Sequence, residues 1–210
     1  MMMNALDICN QSRWKNLCES LDITSDEEIF DKLIKAHAER HRAYHTLDHI
    51  AACLKHLDGV KSETERPQEI EMALWFHDAV YQPFSTTNEE DSAKWAVDWL
   101  TECGAASPVI ERVKDHILAT KSHSTPKDLD QRYMLDIDLS ILGTQPHIYD
   151  EFEDNIRREY KRIPKLIFRT KRKTILKGFL SRSKIYMTTH FQNALEQQAR
   201  VNIARAISKL

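Results

Sequence analysis

Three short stretches carry side chains that could bind a metal ion or move a proton. The first is YHTLDHI, residues 44–50, in which His45 and His49 are four residues apart. If this stretch is helical, residues i and i+4 lie on one face one turn apart, so the two imidazoles could reach one site. A histidine pair on the solvated face of an amphipathic helix would give the same spacing, and the pair alone does not decide between the two.

The second stretch is WFHDAVY, residues 75–81, where His77 and Asp78 stand side by side within a predicted apolar helix. Burying an ionised carboxylate in such surroundings costs several kcal/mol unless something pairs with it. A divalent cation is the strongest available compensation, because it binds carboxylate and neutral imidazole directly. An arginine or a set of backbone N–H groups is the alternative.

The third stretch is YMLDIDLSILG, residues 133–143, which places Asp136 and Asp138 inside another apolar run. The three stretches together supply nitrogen and oxygen ligands without cysteine, enough for one or two ions. Such ligands suit Mn²⁺, Fe²⁺, Mg²⁺, Ni²⁺ or Zn²⁺, and the pattern does not choose among these metals.

Helices are predicted to position these side chains. Glycine and proline number only 4 and 6 in 210 residues, which disfavours the all-β classes. Apolar residues recur at helical spacing in several segments, for example EEIFDKLIKAHAERH, residues 27–41. We therefore predict an all-α single domain of roughly eight to ten helices over residues 1–210, with residues 1–25 as an N-terminal helical extension. The amphipathic last helix is expected to pack onto the domain.

Bulk properties narrow the class of protein. The net charge of −2 implies no strong field for nucleic acid or membranes, and no apolar window approaches the ~18 residues that a transmembrane helix needs. The four cysteines form no CxxC pair and no secretory signal precedes them, which is typical of reduced thiols in a cytoplasmic protein. We expect a cytoplasmic location, no membrane partner and no nucleic-acid partner.

The order of the three stretches on a helical chain resembles the HD superfamily of metal-dependent phosphohydrolases. It is most similar to a small bacterial group of predicted HD phosphohydrolases with the pattern YHNLxHI, FHDxVY, NExxSA, DxDLxILG, IRxEY and ARxN. The chain has YHTLDHI, FHDAVY, NEEDSA, DIDLSILG, IRREY and ARVN in the same order, from about residue 30 to the C-terminus. A His–Asp doublet alone is a weak motif, but these blocks in order are specific. The departure is Thr46, where Asn is usual.

The resemblance implies an HD-type helical bundle, a divalent metal and a site. The implied metal ligands are His49, His77, Asp78 and Asp138, with His123 as a further candidate. YHTLDHI also resembles a segment of cyclic-nucleotide phosphodiesterases of the same superfamily, which implies that His45 protonates the leaving group. Asp78 and Asp136 are the other implied catalytic residues, Asp136 through a hydrogen bond to a ligating imidazole or to the attacking water. The implied reaction is hydrolysis of a small phosphoester, a nucleotide or related metabolite.

A phosphorylated substrate also needs cationic partners. We predict Arg42, Lys121 and Arg157 for this role. The basic stretch 157–184 is interpreted as solvated helix faces, with a nucleotide-phosphate clamp or a weak nucleic-acid patch as alternatives. Two other functions stay open: a nucleotide-binding regulatory protein of HD fold, and a di-iron oxygenase that would need His116 and His123. A homodimer also stays open.

Overall fold

The computed structural model describes residues 4–123 and 126–210, and every regular element in these ranges is helical. Ten helices of ten or more residues lie in this part of the chain, beside one single-turn helix and two 3-10 turns. The all-α prediction is therefore confirmed. No helix within these ranges is long and apolar enough to cross a membrane.

The chain divides into two compact units, Met1–Ile137 and Asp138–Leu210. The single domain over residues 1–210, with its boundary at residue 25, stays a prediction. The first unit is formed by α1 (Ala5–Ile8), α2 (Gln11–Ser20), α3 (Glu27–His37), α4 (Leu47–Val60), a 3-10 turn (Lys61–Glu63), α5 (Pro67–Phe76), α6 (Asn88–Glu102), α7 (Ser107–Ala119) and α8 (Leu129–Asp138). The last residue of α8 is the first residue of the second unit.

Helix α5 is buried around almost its whole circumference, from Glu69 to its last residue. Two of the buried side chains are carboxylates, and both are paired. Arg112 binds Glu69 through two hydrogen bonds of 2.6 and 2.7 Å, while Arg13 and Lys61 bind Glu71 at 2.6 and 3.3 Å. Because an unpaired buried carboxylate costs several kcal/mol, these pairs allow α5 to carry acids through the core.

An aromatic cluster packs around the C-terminal part of α5. The fully buried ring of Trp14 lies 5.6 Å from that of Trp75 and 5.2 Å from that of Trp99 on α6, measured between centroids. Phe30 of α3 and Phe76 complete the cluster. Residues 5–8 and 11–20 are helical, and Trp14 of the second of these helices lies in the core of the first unit.

The second unit contains a 3-10 turn (Leu139–Gly143), α9 (Pro146–Glu159), α10 (Lys165–Ser181) and α11 (Thr189–Lys209). Helix α11 packs against the 3-10 turn, where the buried Asn202 amide donates to the carbonyls of Leu142 and Thr144 at 3.0 and 2.8 Å. Phe191, Ala199, Ile203 and Ala206 are buried along the helix. The expectation that the last helix packs into a core is thus confirmed within this unit.

Gly143 tests the contact between the 3-10 turn and α11. A Cβ at this position would lie 2.5 Å from Leu195 Cβ and 2.9 Å from the Leu195 carbonyl oxygen. Because a backbone oxygen cannot move away cheaply, we expect Gly143→Ala to lower the free energy of unfolding by about 1–3 kcal/mol in urea denaturation. Gly178→Ala in α10 is the control: nothing lies within 4 Å, and we expect about 0.5–1 kcal/mol of stabilisation. Equal effects in the two variants would contradict the close approach.

Because of His37, we expect the free energy of unfolding to fall in acid. Its ring is buried, and Nε2 lies 3.4 Å from the Trp75 carbonyl. Burial, and then the charge of Arg42, lowers the pKa of His37 from 6.5 to about 3. Between these values the unfolded chain binds a proton that the folded chain does not, so the free energy of unfolding falls as the pH drops through this window. We expect His37→Gln to make that slope shallower between pH 6.5 and 5 in chemical denaturation; identical slopes would contradict the assignment.

Candidate metal centre

The carboxyl end of α5 delivers the His–Asp doublet. A helix ordinarily leaves its last four carbonyls without helical partners. Here each carbonyl accepts a hydrogen bond: Ala73 from His77 N, Leu74 from His77 Nδ1, Trp75 from His37 Nε2, and Phe76 from Ala79 N. The expectation that the doublet lies inside a helix is therefore wrong. His77 is the C-cap and Asp78 follows it, because the imidazole is itself part of the cap.

The cap determines which nitrogen of His77 can bind a cation. Nδ1 lies 2.9 Å from the Leu74 carbonyl, which can only accept, so Nδ1 carries a proton. In the neutral ring Nε2 then presents a lone pair. A metal-binding histidine usually donates from one ring nitrogen to a carbonyl or carboxylate and binds the ion through the other.

The second imidazole, His49, lies in the first turn of α4 and is buried. Its Nε2 is 3.1 Å from His77 Nε2. His45 precedes the helix, which begins at Leu47, so the two histidines are not an i, i+4 pair on one helix. The two rings are nevertheless near each other, with centroids 6.2 Å apart.

The carboxylate of Asp78 completes a tight group with the two imidazoles. Its Oδ2 lies 3.1 Å from His77 Nε2 and 3.5 Å from His49 Nε2. Metal–ligand bonds of about 2.1 Å place neighbouring ligand atoms about 3.0–3.4 Å apart in octahedral or tetrahedral geometry. The three observed separations are close to this range, so the donor set fits a divalent ion in both chemistry and spacing.

Asp138 brings a second carboxylate to the same imidazoles. It is the half-buried last residue of α8. His49, His77 and Asp138 each offer a ligand atom, and these atoms all lie within 4.8 Å of one another. His49, His77, Asp78 and Asp138 thus each offer a donor atom at the same place.

Charge at the site favours an ionised Asp78. Burial alone would raise the pKa of this carboxyl, but the neighbouring His77, His45 and His49 outweigh that effect and hold the pKa of Asp78 well below its usual range. The side chain is therefore available as an anionic ligand at neutral pH.

His45 is placed by aromatic contacts. Its half-buried ring stacks on Tyr81 with centroids 4.1 Å apart and meets the edge of Tyr44 at 5.0 Å. Sequence reasoning did not assign Tyr81, although its place at the end of the FHDAVY block was a signal. It also missed Cys53, whose Sγ lies 3.7 Å from His49 Nδ1 and which stands four residues after His49 on α4.

Two other predicted residues lie on neighbouring elements. Asp136 is buried on α8, but it is two residues, or about 200° of helix rotation, from Asp138, so the two carboxylates leave the helix in different directions. His123 follows α7 with a φ of 47°. It is not a member of the three-residue group that the described part of the chain presents. The catalytic role of Asp136 and ligation by His123 stay predictions.

The cations predicted to bind substrate all have partners within the chain. Arg42 is buried and donates to backbone carbonyls on both sides of the site. Lys121 donates to the Thr86 carbonyl at 2.7 Å and pairs with Glu90. Arg157, in the second unit, donates to the carbonyls of Tyr160 and Ile163 at 2.7 and 3.1 Å. Their substrate-binding roles stay predictions.

The chain matches no protein-family model, no curated protein and no solved structure. The case for this site therefore rests on the positions of its own residues.

Asp78 tests the metal centre directly. We expect Asp78→Asn to weaken binding of Zn²⁺ or Mn²⁺ by more than about 100-fold, since even removing an outer partner of a metal ligand costs 10–100-fold. In chelator the variant should unfold at or slightly below the wild-type temperature, because the histidines that lower the pKa of Asp78 favour its charged form in the folded chain. Metal content by elemental analysis and calorimetric titration measure these effects.

Asp130→Asn is the matched control for that experiment. Its buried carboxylate accepts the N–H groups of Glu65 and Arg66 at 2.8 Å each. We expect this variant to unfold at a lower temperature and to bind metal normally. Full metal occupancy in Asp78→Asn would overturn the ligand assignment.

Proposed function

We propose that the protein is a metal-dependent phosphohydrolase that cleaves a small phosphoester, a nucleotide or related metabolite, with water as the nucleophile. The observation that carries the proposal is the convergence of two imidazoles and two carboxylates, His49, His77, Asp78 and Asp138. A bound divalent ion would activate water and stabilise the charge that develops on the phosphoryl oxygens.

The four side chains suit that task in charge as well as in position. The two carboxylates offset the charge of a divalent ion, and the two neutral imidazoles add donors without adding charge. His77 is oriented by its hydrogen bond to Leu74, so the imidazole does not have to reorganise when an ion binds. Nitrogen and oxygen donors without thiolate support Zn²⁺, Mn²⁺, Fe²⁺, Ni²⁺ or Mg²⁺, bound as one or two ions.

His45 would supply the proton for the leaving group. Its ring lies beside the histidine pair, and Tyr81 holds it by stacking. It is half-buried, so a substrate oxygen could approach it. A positioned imidazole of this kind typically contributes about 10²–10⁴-fold to a rate as a general acid.

His45→Ala tests the donor role. We expect normal metal content and a turnover of an alkyl phosphoester about 10²–10⁴-fold slower than wild type. The loss should be much smaller for a p-nitrophenyl ester, because p-nitrophenolate leaves without needing a proton. The measurements are metal content and the ratio of the two hydrolysis rates.

His41→Gln is the control. The His41 ring also stacks on Tyr81, with centroids 6.2 Å apart, and its Nε2 bonds the Tyr81 carbonyl. Glutamine keeps a donor for that carbonyl. It should leave the ratio of rates unchanged. Equal losses on both esters with reduced metal content would instead make His45 a ligand. A metal-loaded wild type that releases no phosphate from any nucleotide or sugar phosphate would favour the nucleotide-binding regulatory protein.

A further inference from the structure

The guanidinium of Arg42 lies inside the first unit, with none of its side chain exposed. Nη1 donates to the carbonyls of His45 and Asp78 at 3.1 and 2.7 Å, and Nη2 donates to that of Ala79 at 3.0 Å. Nε donates to Glu39 at 3.1 Å. Four hydrogen bonds thus engage a group that has five N–H donors, which leaves it poorly suited to clamp a substrate phosphate.

The carbonyls that Arg42 binds belong to the two chain segments that bear the predicted ligands. His45 stands just before α4, whose first turn carries His49. Asp78 and Ala79 follow the C-cap His77 at the end of α5. The Arg42 side chain therefore joins the backbone just before His49 to the backbone just after His77.

The same guanidinium also reaches the ring that supports His45. Its Cζ lies 5.5 Å from the centroid of Tyr81, and His45 stacks on Tyr81 at 4.1 Å. Arg42 thus restrains His45 in two ways: through a hydrogen bond to the His45 carbonyl and through its contact with the ring of Tyr81. A cation near an aromatic face adds attraction to this contact.

We propose that Arg42 is a positioning residue that holds the His45–His49 and His77–Asp78 segments at the separation that metal binding requires. The inference rests on the metal centre of the proposed function and goes beyond it, because it gives Arg42 a role toward the ligands instead of the substrate. The planar fork of arginine can bond three carbonyls at fixed angles. A lysine ammonium is a single point on a flexible stem and cannot reproduce them.

Arg42→Lys is the test, with metal affinity as the readout. We expect Zn²⁺ and Mn²⁺ to bind about 10–100-fold more weakly in calorimetric titration, the range typical of lost support to metal ligands. The rise in unfolding temperature on adding metal to chelator-treated protein should shrink accordingly. Wild-type affinity in a folded Arg42→Lys variant would overturn the proposal.

Arg13→Lys separates positioning from general destabilisation. Arg13 is another largely buried arginine of the same unit, and it pairs with Asp58 and Glu71 at 2.8 and 2.6 Å. We expect this variant to unfold at a lower temperature and to bind metal as tightly as wild type. If both variants lost affinity equally, the effect would come from stability and the proposal would fail.

Glu39→Gln keeps the proposal testable if Arg42→Lys does not fold. The Glu39 side chain is 42% exposed, so the substitution should be tolerated, but it removes the ionised partner of Nε. Metal affinity should fall several-fold, and an unchanged affinity would overturn the proposal. A wild type that binds metal but hydrolyses no phosphoester would overturn the proposed phosphohydrolase function without contradicting the positioning role of Arg42. A wild type that binds no divalent ion would overturn both proposals.

Discussion

The half-buried carboxylate of Asp78 is the constraint on which the arrangement around it depends. Its Oδ2 lies 3.1 Å from His77 Nε2, a nitrogen that the Leu74 carbonyl leaves with a lone pair when the ring is neutral. Two acceptors at this distance repel each other unless a proton or a metal cation lies between them. Sequence reasoning offered an arginine as the alternative partner, but Arg42 bonds the Asp78 backbone carbonyl. A proton on an imidazole or a metal cation would each balance the site, and the group of imidazoles and carboxylates could hold such an ion.

The residues of the centre could be predicted from the sequence because each lies in a short block with its own pattern. His49, His77, Asp78 and Asp138 were expected as a set, and the structure brings their donor atoms together. The helical class followed from the scarcity of glycine and the apolar spacing. Both depend on local composition, which a single sequence displays.

What could not be predicted depends on contacts distant in the chain. The start of α4 at Leu47 excludes His45 from the helix; its N-cap Thr46 is of a type that favours helix starts, but the Thr46 side chain makes no capping hydrogen bond. The end of α5 depends on His37, 38 residues before the carbonyl that it caps. Arg42 was expected at the substrate because arginines often bind phosphate, and its burial against Asp78, 36 residues away, has no local pattern.

The two acids of α5 have a consequence for where the centre forms. A helix that is apolar all round can rotate about its axis or slide by a residue at modest cost, because its contacts are non-directional. Glu69 and Glu71 lie about 200° apart on the helix and are held by arginines from different helices, Arg112 of α7 and Arg13 of α2. A one-residue shift would turn α5 by about 100° and leave both carboxylates buried without their arginine partners. The two ion pairs thus fix the rotation and the register of α5. They thereby also fix the direction in which the imidazole at the end of the helix projects.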